Sequence, residues 1–138
     1  MEFRTLIPVR FGEVDFAQVV YFPRFLHYFH CAFEEFWESQ GLPIRQMIEE
    51  EGVGLPVVHL EVDFRRPLRC GDRLEVGIVL RELGERSAKL VYQGWRHPKG
   101  ELSARAEMVV ACVSMQNFQG CPLPARIREA LGTLVEVP

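Results

Sequence analysis

Two periods of apolar residues alternate along this chain. Phe3 to Val9 reads as a strand, with Thr5 and Ile7 as good strand formers and Pro8 marking an edge or an end. A loop with Gly12 in it follows, from Phe11 to Val20. Phe22, Phe25, Leu26, Phe29, Phe33, Phe36 and Trp37 then recur at steps of three and four, which predicts a long helix with a wide aromatic stripe. Pro23 suits its first turn, where a missing N–H costs nothing, and Gly41 and Pro43 stop it. A shorter helix is expected from about Ile44 to Glu51, ending at Gly52.

After Gly54 the period drops to two. Val58, Leu60, Val62 and Phe64 face one way, and His59, Glu61, Asp63 and Arg65 the other. Pro67 closes this strand, and Arg69-Cys70-Gly71-Asp72 forms a turn. Leu74, Val76, Ile78 and Leu80 alternate in the next strand, Ser87 to Arg96 makes another, and His97-Pro98-Lys99-Gly100 is a turn signal. Leu102 to Met115 reads as one long strand, apolar on both faces in its second half and therefore central. Pro122 and Pro124 precede a short amphipathic helix, Ala125 to Leu131. The order of one strand, two helices and four strands in hairpin-like succession predicts an α+β domain spanning residues 1–138, with one antiparallel sheet and helices on one side. Edge strands this long need cover, and pairing edges in a dimer supplies it.

Composition narrows the function. In 138 residues, 48% are apolar and 25% charged, so the chain has enough apolar surface to offset the entropy of folding. A formal net charge of −3, with no basic run denser than Arg65-Arg66, argues against a nucleic-acid partner. The apolar runs are too short to span a membrane. Glu2 and Arg4 follow Met1 with no signal-peptide core, so a cytoplasmic location is expected. The cysteines at 31, 70, 112 and 121 form no C-x-x-C and no zinc-finger spacing, which predicts reduced thiols and no metal.

The loop before the aromatic helix carries the candidate chemistry. Glu13 and Asp15 sit among Phe11, Val14, Phe16, Val19 and Val20, and a carboxylate in apolar surroundings is costly unless paired or used. The helix start a few residues on offers unpaired amides and partial positive charge. Together they suit acyl transfer, in which negative charge develops on a carbonyl oxygen. The plainer alternative is that Asp15 caps a turn or pairs with Arg10.

Phe11-Gly12-Glu13-Val14-Asp15-Phe16-Ala17-Gln18-Val19-Val20-Tyr21-Phe22-Pro23-Arg24-Phe25 resembles the signature of the 4-hydroxybenzoyl-CoA thioesterase family of hotdog-fold proteins. The resemblance continues through Ser39-Gln40-Gly41-Leu42-Pro43, Gly54-Leu55-Pro56-Val57-Val58, the stretch from Val62 to Leu74 that holds Pro67 and Gly71-Asp72, and Glu82-Leu83-Gly84 with Ser87. It implies a curved antiparallel sheet wrapped around one long helix. It implies a dimer formed by joining sheets, or a dimer of dimers forming a homotetramer, with active sites at the subunit interface. It also implies hydrolysis of an acyl-CoA without metal or separate cofactor, coenzyme A being part of the substrate.

On the same resemblance Asp15 falls on the catalytic carboxylate, as nucleophile or as general base for water. The Phe22 backbone N–H falls on the oxyanion donor, worth about 3 kcal/mol in acyl-transfer enzymes. Three positions depart from the family pattern: Val14 replaces Thr or Cys, Gln18 replaces Gly or Ala, and Phe22 replaces His or Tyr. Gln18 either brings a side-chain amide to the carbonyl or fills space. Tyr21, His30 and His59 are candidate substrate contacts, with His30 at the position that meets a ring hydroxyl, and the Phe-rich helix favours an aromatic or medium-chain acyl group. Arg86, Ser87 and Lys89 fall on the segment that meets coenzyme A, with Arg65 and Arg66 as alternatives, while Arg126 and Arg128 are expected on a solvated face. An acyl-carrier-protein thioesterase and a non-catalytic acyl-binding protein are the competing readings.

Overall fold

The computed structural model describes residues 2–135. Strand β1 (Phe3–Pro8) leads through a single 3-10 turn (Phe11–Glu13) to the long helix α1 (Pro23–Ser39). A short helix α2 (Ile44–Gln46) continues as a π-turn (Met47–Glu51). Strands β2 (Val53–Gly54), β3 (Val57–Phe64), β4 (Arg73–Leu83), β5 (Ser87–His97), β6 (Glu101–Ala111) and β7 (Val113–Ser114) follow, and α3 (Ala125–Gly132) closes the chain. The α+β arrangement expected from the pattern, and the hotdog fold implied by the resemblance, are present: a five-stranded antiparallel sheet in the order β1-β4-β5-β6-β3 packs on α1.

The helical stripe is what the sheet encloses. Phe25, Tyr28, Phe29, Ala32, Phe33, Phe36 and Trp37 are all buried. Phe29 lies 5.4 Å from Tyr92 of β5, and Phe36 lies 5.6 Å edge-on to Phe3 of β1. Ala88, Ala104 and Ala106 on β5 and β6 are buried as well, and such small residues let a helix lined with aromatics approach the strands. At Gly94 a Cβ would meet Leu74 Cδ1 at 3.0 Å, so this position on β5 is held small. The helix ends in a Schellman motif: Gly41 takes φ +72°, its N–H donates to Glu38 O at 3.0 Å, and Leu42 N–H donates to Trp37 O at 3.0 Å.

Four expectations are corrected. The strands after Gly54 are not a run of hairpins. β4, β5 and β6 form a meander, but β3 pairs with β6 at the far edge, so residues 65–72 traverse the sheet to reach β4. Leu68 is fully buried on that traverse. The long final strand is two: β6 stops at Ala111, and Val113-Ser114 pairs with Val53-Gly54 in a separate ribbon, so β5 is the central strand. A bulge at Val58 breaks the alternation of β3, pairing Val57 with Val110 and His59 with Val109, so that Val57 shares a face with Leu60. Lastly, Arg128 is half-buried rather than on a solvated face, while Arg126 is exposed as expected, and both tie α3 to neighbouring segments. Arg126 meets Glu50 at 3.1 Å and the Gly41 carbonyl at 3.0 Å, and Arg128 donates to Gly84 O at 2.7 Å.

Candidate active site

The loop before α1 is closed by its own backbone. Val14 and Val20 form an isolated antiparallel bridge around a tight turn. Within it Asp15 N–H donates to Val19 O at 2.8 Å and Gln18 N–H to Asp15 O at 2.9 Å. Asp15 Oδ1 accepts the Ala17 N–H at 2.8 Å, which fixes the carboxylate's direction. Oδ2 has no partner among the described residues, so one oxygen caps the turn and the other stays free. Val20 N–H donates to Leu68 O at 2.8 Å, tying the loop to the segment that crosses the sheet.

Gln18 makes this turn with φ +67°, the left-handed region that favours glycine. Its exposed side chain makes no hydrogen bond among the described residues. Its departure from Gly or Ala therefore has a conformational meaning that the pattern alone did not reveal.

The two loop carboxylates divide their roles. Glu13, half-buried, accepts the Tyr28 hydroxyl at 2.9 Å and the Arg10 N–H at 2.8 Å through Oε1. Burial, reinforced by the bond to Glu13, holds the Tyr28 phenol well above its ordinary value. Glu13 is thus the embedded carboxylate, while Asp15 is exposed in the protomer.

At the helix start the amides are almost all used. Tyr21 N–H donates to Glu13 O at 3.2 Å, Arg24 N–H to Tyr21 O at 2.8 Å and Phe25 N–H to Phe22 O at 3.2 Å. Pro23 has no N–H. The Phe22 N–H is left without an acceptor among the described residues, at the positive end of a 17-residue helix. The Phe22 ring is exposed and packs edge-on against Tyr21 at 5.3 Å and against Phe64, at the end of β3, at 5.9 Å. Asp15 itself lies in a broad open depression of about 930 Å³, shared with Phe11, Phe16, Gln18, Arg69 and Cys70.

His30 lies elsewhere. It lines an apolar cavity of about 330 Å³ between α1 and the sheet, together with Leu26, Phe33, Val57, Leu60 and Met108 among others. It and Tyr92 are the two lining side chains with polar atoms, and its Nε2 stands 3.2 Å from Glu34. No residue lines both this cavity and the Asp15 depression. His59 is on the opposite face of β3 from Leu60, 3.1 Å from Glu61, and does not reach the cavity.

The proposed coenzyme A residues cluster at the β4–β5 hairpin. Arg86 donates to Gly120 O at 3.1 Å, and Lys89 is 3.8 Å from Glu82. Ser87 and Lys89 alternate with the buried Ala88 and Leu90 and so point away from α1. The protomer does not bring them to Asp15. Arg69, by contrast, shares the Asp15 depression, and sequence reading did not single it out because a chain crossing places it there. The Glu13–Tyr28 bond also escapes the sequence reading: Tyr28 is not among the stripe positions that the helical period picks out, and nothing in the spacing ties it to Glu13.

Comparison with known proteins identifies the family. Residues 9–131 match the model of the thioesterase-like superfamily. A 1,4-dihydroxy-2-naphthoyl-CoA hydrolase from Synechococcus elongatus is 36% identical over 125 residues, covering 89% of this chain and 90% of the relative. Among solved structures, a 1,4-dihydroxy-2-naphthoyl-CoA thioesterase from Synechocystis superposes with a TM-score of 0.89 at 30% identity, covering 97% of this chain and 98% of that one. A gentisyl-coenzyme A thioesterase superposes with a TM-score of 0.82 at 25% identity, covering 93% and 98%.

Proposed function

Since the chain belongs to the thioesterase-like superfamily and is a thioester hydrolase of the hotdog fold, we propose that it hydrolyses an acyl-CoA whose acyl group is a hydroxylated aromatic acid of the 1,4-dihydroxy-2-naphthoyl class. The reading is carried by two features of one short stretch: Asp15, a carboxylate with one free oxygen, and Phe22, whose N–H at the start of α1 has no acceptor among the described residues. The thioester oxygen accepts the Phe22 N–H. Asp15 Oδ2 either attacks the carbonyl carbon, giving a mixed anhydride that water then cleaves, or takes a proton from the attacking water. In both cases the C–S bond breaks, coenzyme A leaves as a thiol after protonation, and no separate cofactor is used. The amide stabilises the oxyanion by about 3 kcal/mol.

The acyl group needs an apolar cavity, and two copies of the chain would supply it. β3 is an eight-residue edge strand with Val57, Val58, Leu60 and Phe64 exposed, a liability that pairing removes. If two β3 strands pair antiparallel about a two-fold axis, the Phe64 end of one lies beside the Val57 end of the other. Phe64 packs on Phe22, and Val57 lines the His30 cavity. The amide of one copy thereby faces the acyl cavity of its partner, with His30 there to bond a ring hydroxyl. The Arg86, Ser87 and Lys89 hairpin, with Arg69 as a further cation, would meet the phosphates of coenzyme A.

The test is a hydrolysis screen over 1,4-dihydroxy-2-naphthoyl-, benzoyl-, phenylacetyl- and straight-chain acyl-CoAs. The naphthoyl ester should be turned over with the highest kcat/KM. Preference for straight-chain esters would reject the aromatic reading, and turnover of none would reject the enzymatic one.

A further inference from the structure

The His30 cavity does not end at its first chamber. A second apolar cavity of about 290 Å³ shares His30, Phe33, Leu55 and Pro56 with it. These four residues form a neck. Beyond it the walls are Met47 and Ile48 of the π-turn, Gly54 and Val113 of the β2–β7 ribbon, Met115 and Phe118. Each chamber alone sits at the lower end of the size that holds a small ligand, roughly 300 Å³ upward. The second contains no ionisable side chain other than His30 at the neck. Its far rim is made of exposed residues: Phe118, held at φ +58° in the left-handed region, and Ile48, 37% exposed.

Resting on the thioesterase reading, we propose that this second chamber is a distal acyl subsite, occupied by an apolar alkyl extension that projects from the ring held in the first chamber, and that Ile48 and Phe118 set how long that extension can be. The argument is continuity and chemistry. The chamber adjoins the first across the four shared residues, its lining favours hydrocarbon, and π-turns and left-handed non-glycine residues are features that recur where chain geometry serves a ligand. The enzyme then selects acyl length at a place remote from Asp15.

A series of 4-alkylbenzoyl-CoAs, from unsubstituted to hexyl, measures this. In the wild type kcat/KM should rise by up to about fourfold per buried methylene until the chamber is full. Ile48→Trp, a change at an exposed rim position, should flatten the rise while leaving benzoyl-CoA turnover within about twofold, and Phe118→Gly should lengthen the longest chain accepted. Non-hydrolysable 4-alkylphenacyl-CoA thioethers, titrated calorimetrically, give the same comparison as Kd, so the subsite is tested even if no thioester is cleaved. A chain-length slope that is flat in the wild type, or unchanged in both variants, overturns the proposal. Absence of hydrolysis together with a retained slope in Kd would reject the catalytic reading and keep the subsite.

Discussion

At the scale of single residues, the loop at 13–18 holds one carboxylate engaged in packing, Glu13, and one that is proposed for the chemistry, Asp15. Asp15 keeps one oxygen free, so Asp15→Asn should lower kcat by about three orders of magnitude, as loss of a base or nucleophile does, with an unchanged circular dichroism melt. An unchanged kcat would remove Asp15 from the chemistry. Gln18 is a conflict of two magnitudes. The left-handed region costs a non-glycine residue roughly 1–2 kcal/mol, while glycine gives back about 0.5–1 kcal/mol in unfolded-chain entropy. The strain is the larger, so Gln18→Gly should stabilise the protein slightly in urea titrations, and unaltered kcat in the same variant would show that its amide takes no part at the carbonyl. Tyr28 gives a pH signature. Its phenol is held above the ordinary value near 10, so the folded state retains a proton that the unfolded chain loses. The stabilisation is complete below pH 10 and declines as the pH rises above it. Tyr28→Phe should remove part of that alkaline loss. Buried Tyr92, whose phenol burial also pushes up, should keep the remainder.

At the scale of elements, legibility followed periodicity. The aromatic stripe of α1 and the alternation of β4 were readable because burial on one face leaves a period in the sequence. Which strands become neighbours was not, because a period records a buried face and says nothing of the partner across it. The β3–β4 crossing and the division of the last strand at Cys112 are both of this kind. The candidate site was legible in part for the same reason. Asp15 and Phe22 lie within one short stretch, so the sequence alone brings these two proposed groups together. Arg69 and the cavity lining arrive from distant segments and leave no local trace. The stripe also sets the stability. Phe29 is fully enclosed between α1 and β5, and Phe29→Ala should cost about 3–5 kcal/mol, read as a lowered urea midpoint with unchanged slope.

At the scale of the whole molecule, the proposed site asks for two copies of the chain. Asp15 and the His30 cavity share no lining residue within one chain, and antiparallel pairing of β3, as proposed, would put the Asp15 loop of one copy beside the cavity of the other. Val58→Lys on the exposed edge should therefore yield monomers in light scattering and abolish turnover together. Complementation is the sharper measurement. Asp15→Asn retains an intact cavity, and Leu60→Trp, which fills the cavity, retains an intact Asp15. Each variant alone should be nearly inactive. In a heterodimer one site combines both defects, and the other combines the intact carboxylate of one copy with the intact cavity of its partner. Unfolding and refolding an equimolar mixture should restore about one quarter of wild-type activity, since half the dimers are mixed and each has one working site. Were carboxylate and cavity to serve the same protomer, every chain in that mixture would carry a defect in its own site, and no activity would return.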